Sequence, residues 1–390
     1  MYVLALLFLF APSARGQNVE LTKISLSTYS KAICNDGSAA AYYLGTEGST
    51  SGNVLIYLEV RIWKIRTTFP GRWLLHGPDR LRREMRGARR VPLLVHGLPG
   101  HHGRRGGRLL RIVRGQPRLI KVYLPYCSSD EHSGNKEASE DTGNFHFNGR
   151  NIISAVVDDL HATRTLGQPG GEHVVLAGAS AGGAGAARNC DFVADKVKSL
   201  GYDSRVSCIL DGADLEPFWM TNECDLIEEE AYYREFWNAQ EDETCLQILG
   251  NDAVECSAFS MFWPYIESPF MVVSSEADPV VHFCADDPSL GDNSEGSFGR
   301  QWREGMAQLG LDMVASNRTD IGVFLGNCPF HVAMEMDEIY AEMPVTIQWS
   351  LQGTRITLKE ALVNWIAGQG AYQAIDHPEE INPSCPGFRK

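Results

Sequence analysis

Six short runs of aliphatic, β-branched and aromatic residues recur along the chain, at Val54–Val60, Leu119–Leu124, His173–Ala177, Arg205–Leu210, Phe270–Val273 and Ile321–Leu325. Each is nearly continuous rather than alternating, which predicts strands buried on both faces. Between several of them the apolar period lengthens to that of a helix. Ile152, Ile153, Val156, Val157 and Leu160 fall on one helical face, and Phe192, Val193, Val197 and Leu200 on another. Near the end, Thr357-Leu-Lys-Glu360 has the spacing of a capping box, and the helix it opens carries Leu362, Trp365 and Ile366. Strands alternating with helices predict an α/β fold, with a mostly parallel central sheet and helices on both faces. No internal repeat or linker divides the chain, so a single domain is expected over residues 18–390.

The start differs in kind. Met1–Phe10 is almost wholly apolar and the small-residue exit Ala11–Gln17 follows it, the layout of a secretory signal peptide over residues 1–17. About nine apolar residues are too few to span a bilayer, which takes about 20. A secreted, extracellular product with no stable membrane span is expected. Ten cysteines follow: Cys34, Cys127, Cys190, Cys208, Cys224, Cys245, Cys256, Cys284, Cys328 and Cys385. An even number behind a leader predicts disulfides, and none has zinc-ligand spacing, so no structural metal is expected. Asn317-Arg318-Thr319 is a glycosylation sequon and makes Asn317 a candidate acceptor.

Charge breaks the pattern once. The chain carries a net charge of −14, yet from Arg61 to Gly115 fourteen arginines and one lysine face only Asp79 and Glu84. That local balance of +13 leaves −27 on the remainder. A basic run can mark a polyanion surface. This one has no nucleic-acid motif and no helical period, so no nucleic-acid partner is expected.

Candidate chemistry centres on Ser180. The segment His173–Gly183 runs from a predicted strand through Gly178-Ala179-Ser180-Ala181-Gly182 into a helical pattern, the context that a G-x-S-x-G nucleophile elbow requires. There the serine hydroxyl projects at a helix N-terminus, where the Ala181 N–H and the helix dipole can stabilise an oxyanion. A serine nucleophile needs a base, and the base an orienting acid, in the chain order serine, acid, histidine. Asp278 stands just beyond the Phe270–Val273 strand, while Asp211 and Asp214 follow an earlier one. Of the downstream histidines, His282 lies only four residues past Asp278, His331 follows the Ile321–Leu325 strand, and His377 comes later. Asp278 and His331 are the favoured partners.

Five motifs bring in a family resemblance: Cys34–Leu44, Pro125–Asp130 with Ser133-Gly134, the Ser180 elbow, Cys328-Pro-Phe-His331 and Asn382–Pro386. Together, over roughly residues 30–60 and 119–386, they resemble the pectin acetylesterase/Notum family. The resemblance implies an α/β-hydrolase-like fold, secretion with several disulfides, and a triad falling on Ser180, Asp278 and His331. The serine and histidine match by motif, and Asp278 by its place after a strand.

One departure matters. Family members continue the strand equivalent to Leu55–Glu59 into a glycine-rich loop that supplies an oxyanion N–H, whereas this chain enters the arginine-rich stretch. That stretch, about residues 60–115, reads as a frame-shifted or wrongly spliced translation; sequencing the transcript tests this, and an uninterrupted frame would overturn it. Within it, Val91–Gly100 resembles the strand and His-Gly loop of many lipases, which makes His96-Gly97 the alternative oxyanion loop. The expected activity is that of a serine carboxylesterase (a carboxylic ester hydrolase) acting on an O-acyl ester, with acetyl groups on a polysaccharide such as pectin ahead of a fatty acyl group on a secreted signalling protein. The acyl transfer this implies requires no cofactor. A catalytically impaired binding homologue is the rival. Phe218-Trp219, Phe236-Trp237 and Phe262-Trp263-Pro264-Tyr265 are candidates to line an acyl pocket, with core packing the plainer alternative.

Overall fold

The computed structural model describes residues 21–46, 49, 52–59, 119–168, 171–213, 234–250, 254–279, 297–336, 338–346, 354–369 and 372–385. The expected leader, the arginine-rich stretch with His96-Gly97, and Asp214, Phe218-Trp219, Cys224, His282 and Cys284 lie outside them.

Each of the six apolar runs forms a strand. In chain order the strands are β1 (Thr22–Ser25), β2 (Ala41–Gly45), β3 (Val54–Leu58), β4 (Ile120–Leu124), β5 (His173–Ala179), β6 (Arg205–Asp211), β7 (Phe270–Ser275), β8 (Gly322–Gly326), β9 (Pro344–Thr346), β10 (Arg355–Thr357) and β11 (Gln373–Ile375). The helices are α1 (Gly149–Ala162), α2 (Ala181–Arg188), α3 (Cys190–Ser199), α4 (Glu243–Leu249), α5 (Phe298–Ala315) and α6 (Leu358–Ala367), with short helical turns besides. Nine strands make one sheet in the order β1-β2-β4-β3-β5-β6-β7-β8-β11, and β9 pairs with β10 apart from it. The β1–β2 and β2–β4 pairs are antiparallel, and every neighbouring pair from β4 to β11 is parallel. The chain is therefore α/β, as its pattern predicts.

Burial explains why the strand runs are continuously apolar. β3 gives Val54, Ile56 and Leu58 to one face and Leu55 and Tyr57 to the other; β5 divides Val174 and Leu176 from Val175, Ala177 and Ala179 in the same way. One face is covered by α1, α3 and α5, and the other by α6 and the segment after β8. On α1 all five predicted core residues are buried. On α3 Val193 and Val197 are buried, with Phe192 and Leu200 partly so. The predicted capping box is made in both directions, Glu360 N–H donating to Thr357 Oγ1 and Thr357 N–H to Glu360 Oε2, and α6 buries Leu358, Ala361, Leu362 and Trp365.

Because the sheet is mostly parallel, the carboxyl ends of β3 to β8 share one edge. β3 lies between β4 and β5, so the chain leaves toward opposite sides of it, which is where open α/β sheets form their crevices. Among the described residues four disulfides form, Cys34–Cys127, Cys190–Cys208, Cys245–Cys256 and Cys328–Cys385, the second of them tying α3 to β6. No helix among the described residues is long and apolar enough to cross a membrane.

Candidate active site

β5 ends at Ala179 and α2 begins at Ala181, so Ser180 alone makes the turn, at φ 51° and ψ −123°. That conformation is costly for a residue with a side chain and persists only where its surroundings enforce it. Here the Ser180 N–H donates to the Asp211 carbonyl at 2.7 Å, and the Ser180 carbonyl accepts from Ala184 N–H at 2.9 Å. The glycines of the motif are required by close approach. A Cβ on Gly178 would strike the main chain of Gly182, and one on Gly182 would strike the Leu58 carbonyl at the end of β3. The Ser180 side chain does not cap α2, so its hydroxyl is not spent on the helix. The Ala181 N–H opens α2, where the first amides lack intrahelical partners and the helix dipole is positive.

The next two positions come from neighbouring strands. Asp278 lies just past β7 and His331 just past β8, and His331 Nδ1 is 2.8 Å from Asp278 Oδ2. Both are buried, at 8% exposure for His331 and 1% for Asp278. With its Nδ1–H donated to the carboxylate, the imidazole keeps Nε2 as its basic nitrogen. His377, by contrast, is exposed past β11 and accepts from the Glu379 N–H. Asp211 gives its two carboxylate oxygens to the N–H groups of Ala333 and Met334, at 2.9 and 2.8 Å.

Several residues in this edge carry no sequence signal. Ser275 accepts from the Ala277 N–H at 2.9 Å and donates to the Cys328 carbonyl, which ties the acid's loop to the histidine's loop. The Cys328–Cys385 disulfide holds the same loop from its other side. Glu276 is fully buried, and burial, with Asp376 adding, holds its carboxyl well above the usual range.

At the other side of the elbow, Glu59 follows the last residue of β3. Its carbonyl is 3.1 Å from His132 Nε2, and its carboxylate accepts the Tyr126 N–H at 3.0 Å. Burial lowers His132 to about 4, so it is a neutral donor there. Asp130, raised to about 6 by burial against its hydrogen bonds, accepts from Ser128 Oγ, His132 N–H and Gly149 N–H. The Asn35 amide donates to the Ser128 and His146 carbonyls. The Cys34 and Pro125 motifs, distant in sequence, are thus one scaffold beneath the ends of β3 and β4. Phe236, Phe262 and Trp263 are buried, with Phe236 against Phe147 and Phe262 against Phe259, so these aromatics are core. Asn317 lies exposed in the turn after α5.

A family model described as Pectinacetylesterase matches residues 119–386, more than half of the chain. The chain belongs to the pectin acetylesterase family. The family match starts just past the arginine-rich stretch and takes in the elbow, Asp278 and His331. Among similar proteins, the palmitoleoyl-protein carboxylesterase NOTUM of Mus musculus is 33% identical over 203 residues, which cover 50% of this chain and 36% of the mouse protein. The Homo sapiens NOTUM is 30% identical over 282 residues, covering 68% of this chain and 52% of the human one. Pectin acetylesterase 7 of Arabidopsis thaliana is 23% identical over 396 residues, covering 95% of this chain and 93% of the plant protein. The chain thus spans about half or less of the mouse and human relatives, but nearly all of the plant one.

Proposed function

We propose that the chain is a secreted serine carboxylesterase. The observation that carries this is the Asp278–His331 pair on the same strand edge as a serine held at positive φ. In the proposed reaction His331 Nε2 takes the proton of Ser180 as its oxygen attacks the ester carbonyl, and the Ala181 N–H holds the oxyanion. The imidazolium, steadied by Asp278, then protonates the departing alcohol. Water, activated by the same imidazole, releases the acid from the acyl-enzyme. The apolar leader and the four disulfides support secretion.

Two acyl groups suit the family. Removal of acetyl groups from a polysaccharide such as pectin is supported by the near full-length match to the plant acetylesterase. Removal of a fatty acyl group from a secreted protein is supported by the higher identity to the NOTUM proteins. A fluorophosphonate probe and p-nitrophenyl esters test the chemistry: wild type is labelled and hydrolytic, Ser180→Ala is neither, and acetyl against octanoyl esters separates the two substrates. Absence of labelling in wild type would sink the reading. It would favour the impaired homologue, since one lost oxyanion donor costs about a hundred- to a thousandfold in rate and Glu59 leads into the arginine-rich stretch where the family has its glycine loop.

A further inference from the structure

We propose that Asp211 is a positioning residue of this site, whose main chain holds the nucleophile's turn and whose ionised carboxylate holds the loop that carries the base. The proposal rests on the Ser180–His331 reading above.

Asp211 is the last residue of β6 and fully buried. Its carbonyl takes the Ser180 N–H at 2.7 Å. Its carboxylate spans two consecutive amides, Ala333 N–H at Oδ1 and Met334 N–H at Oδ2, just beyond His331. The next residue, Gly212, has φ 55°, and a Cβ there would collide with the His331 carbonyl. The chain leaving β6 therefore lies directly against the backbone of the base. Parallel pairing sets this up, because β6 stands beside β5 and one strand away from β8. A residue at its end can touch the elbow on one side and the base's loop on the other.

Both oxygens accept from N–H groups, and a proton on either would take one of its lone pairs and weaken it as an acceptor. The groups facing the carboxylate are Tyr57 from β3, whose hydroxyl donates to Glu335, and Glu335 and His331 from the loop after β8. On the β7 side, Gly212 N–H donates to the Val273 carbonyl. Burial pushes Asp211 upward and Glu335 adds to it, while the two amides and His331 pull it down; the balance is about 7. The amides and His331 favour the ionised form and burial opposes it, so what the carboxylate contributes at this edge is its pair of bonds to Ala333 and Met334.

Amide exchange of residues 331–336 in the full chain and the steady-state kinetics on p-nitrophenyl acetate are compared at one pH in wild type, Asp211→Asn and Asp211→Ala. Asp211→Asn keeps one acceptor oxygen and turns an NH₂ toward the other amide, so exchange at Ala333 or Met334 is expected to quicken about tenfold or more, with kcat falling and KM held; Asp211→Ala loses both bonds and quickens both amides. Exchange and kcat unchanged in a folded Asp211→Asn overturn the proposal, as does a loss of protection spread evenly over the chain rather than confined to residues 331–336. A protein that shows the local exchange change but whose Ser180 never reacts with the fluorophosphonate supports the Asp211 hold and refutes the hydrolase reading instead.

Discussion

At Asp278, one carboxylate oxygen decides which nitrogen of His331 carries the proton. An asparagine there can turn its amide NH₂ toward Nδ1, which then becomes the acceptor and leaves the proton on Nε2, where it blocks transfer from Ser180. Asp278→Asn is expected to lower kcat about a thousand- to ten-thousandfold while thermal unfolding and amide exchange of residues 331–336 remain close to wild type; a loss under tenfold would remove Asp278 from the site. Ser180 and His331 were legible in the sequence because each stands inside a local motif. Asp211 and Ser275 were not, because their partners in the base's loop lie 122 and 53 residues away. Nothing in a local pattern says which loop a buried polar side chain will meet.

Elements differ in the same way. α6 was readable from Thr357 and Glu360, whose reciprocal bonds form within a single turn. Thr357→Ala is expected to cost about 1 kcal/mol of unfolding free energy with esterase kinetics unchanged, as measured by urea unfolding beside a p-nitrophenyl ester assay; no change in stability would mean that the cap is not made in solution. α5, the longest helix among the described residues, has a Ser297 N-cap that accepts from Arg300 N–H but no capping box. Gly299, Gly305 and Gly310 interrupt it, and glycine disfavours a helix interior. Gly310 is nonetheless suited to its place, since a Cβ there would press on Leu325 and Ile375 of the sheet. Buried Arg303 also breaks the apolar stripe. Packing against β8 and β11, rather than propensity, selects this helix. The edge strands β1, β9, β10 and β11 have only three or four residues each, too few to set a period.

Over the whole molecule, buried titratable groups shape how stability depends on pH. Asp130 is raised to about 6, and Asp211 and Asp242 to about 7, all chiefly by burial. In the unfolded chain such acids release protons near pH about 4, so between that and their native values the native state binds more protons and stability falls as pH rises. His132 and His173, lowered by burial to about 4, act in the opposite sense up to pH about 6.5, where unfolded histidine titrates. From there to about 7, of these groups, the acids alone act, so urea-unfolding free energy is expected to decline toward pH about 7. Asp242 caps α4 through the Cys245 N–H, and asparagine caps as well, so Asp242→Asn keeps that bond and flattens the decline. An identical slope in that variant would rule out its share.

The sequence alone determined the α/β alternation, the elbow at Ser180 and the motifs of the family, because burial on both strand faces, a tight strand-to-helix turn and a capping box each express themselves over a few adjacent residues. The tertiary structure decided which of the described cysteines pair, that Phe236 and Phe262 are buried, that Asp278 is the carboxylate hydrogen-bonded to His331 Nδ1, and that Asp211 hydrogen-bonds both Ser180 and the segment after His331. The reason is topological. Those partners are selected by which parallel strands lie side by side and end on the same edge, a choice made by the whole sheet and written in no single segment.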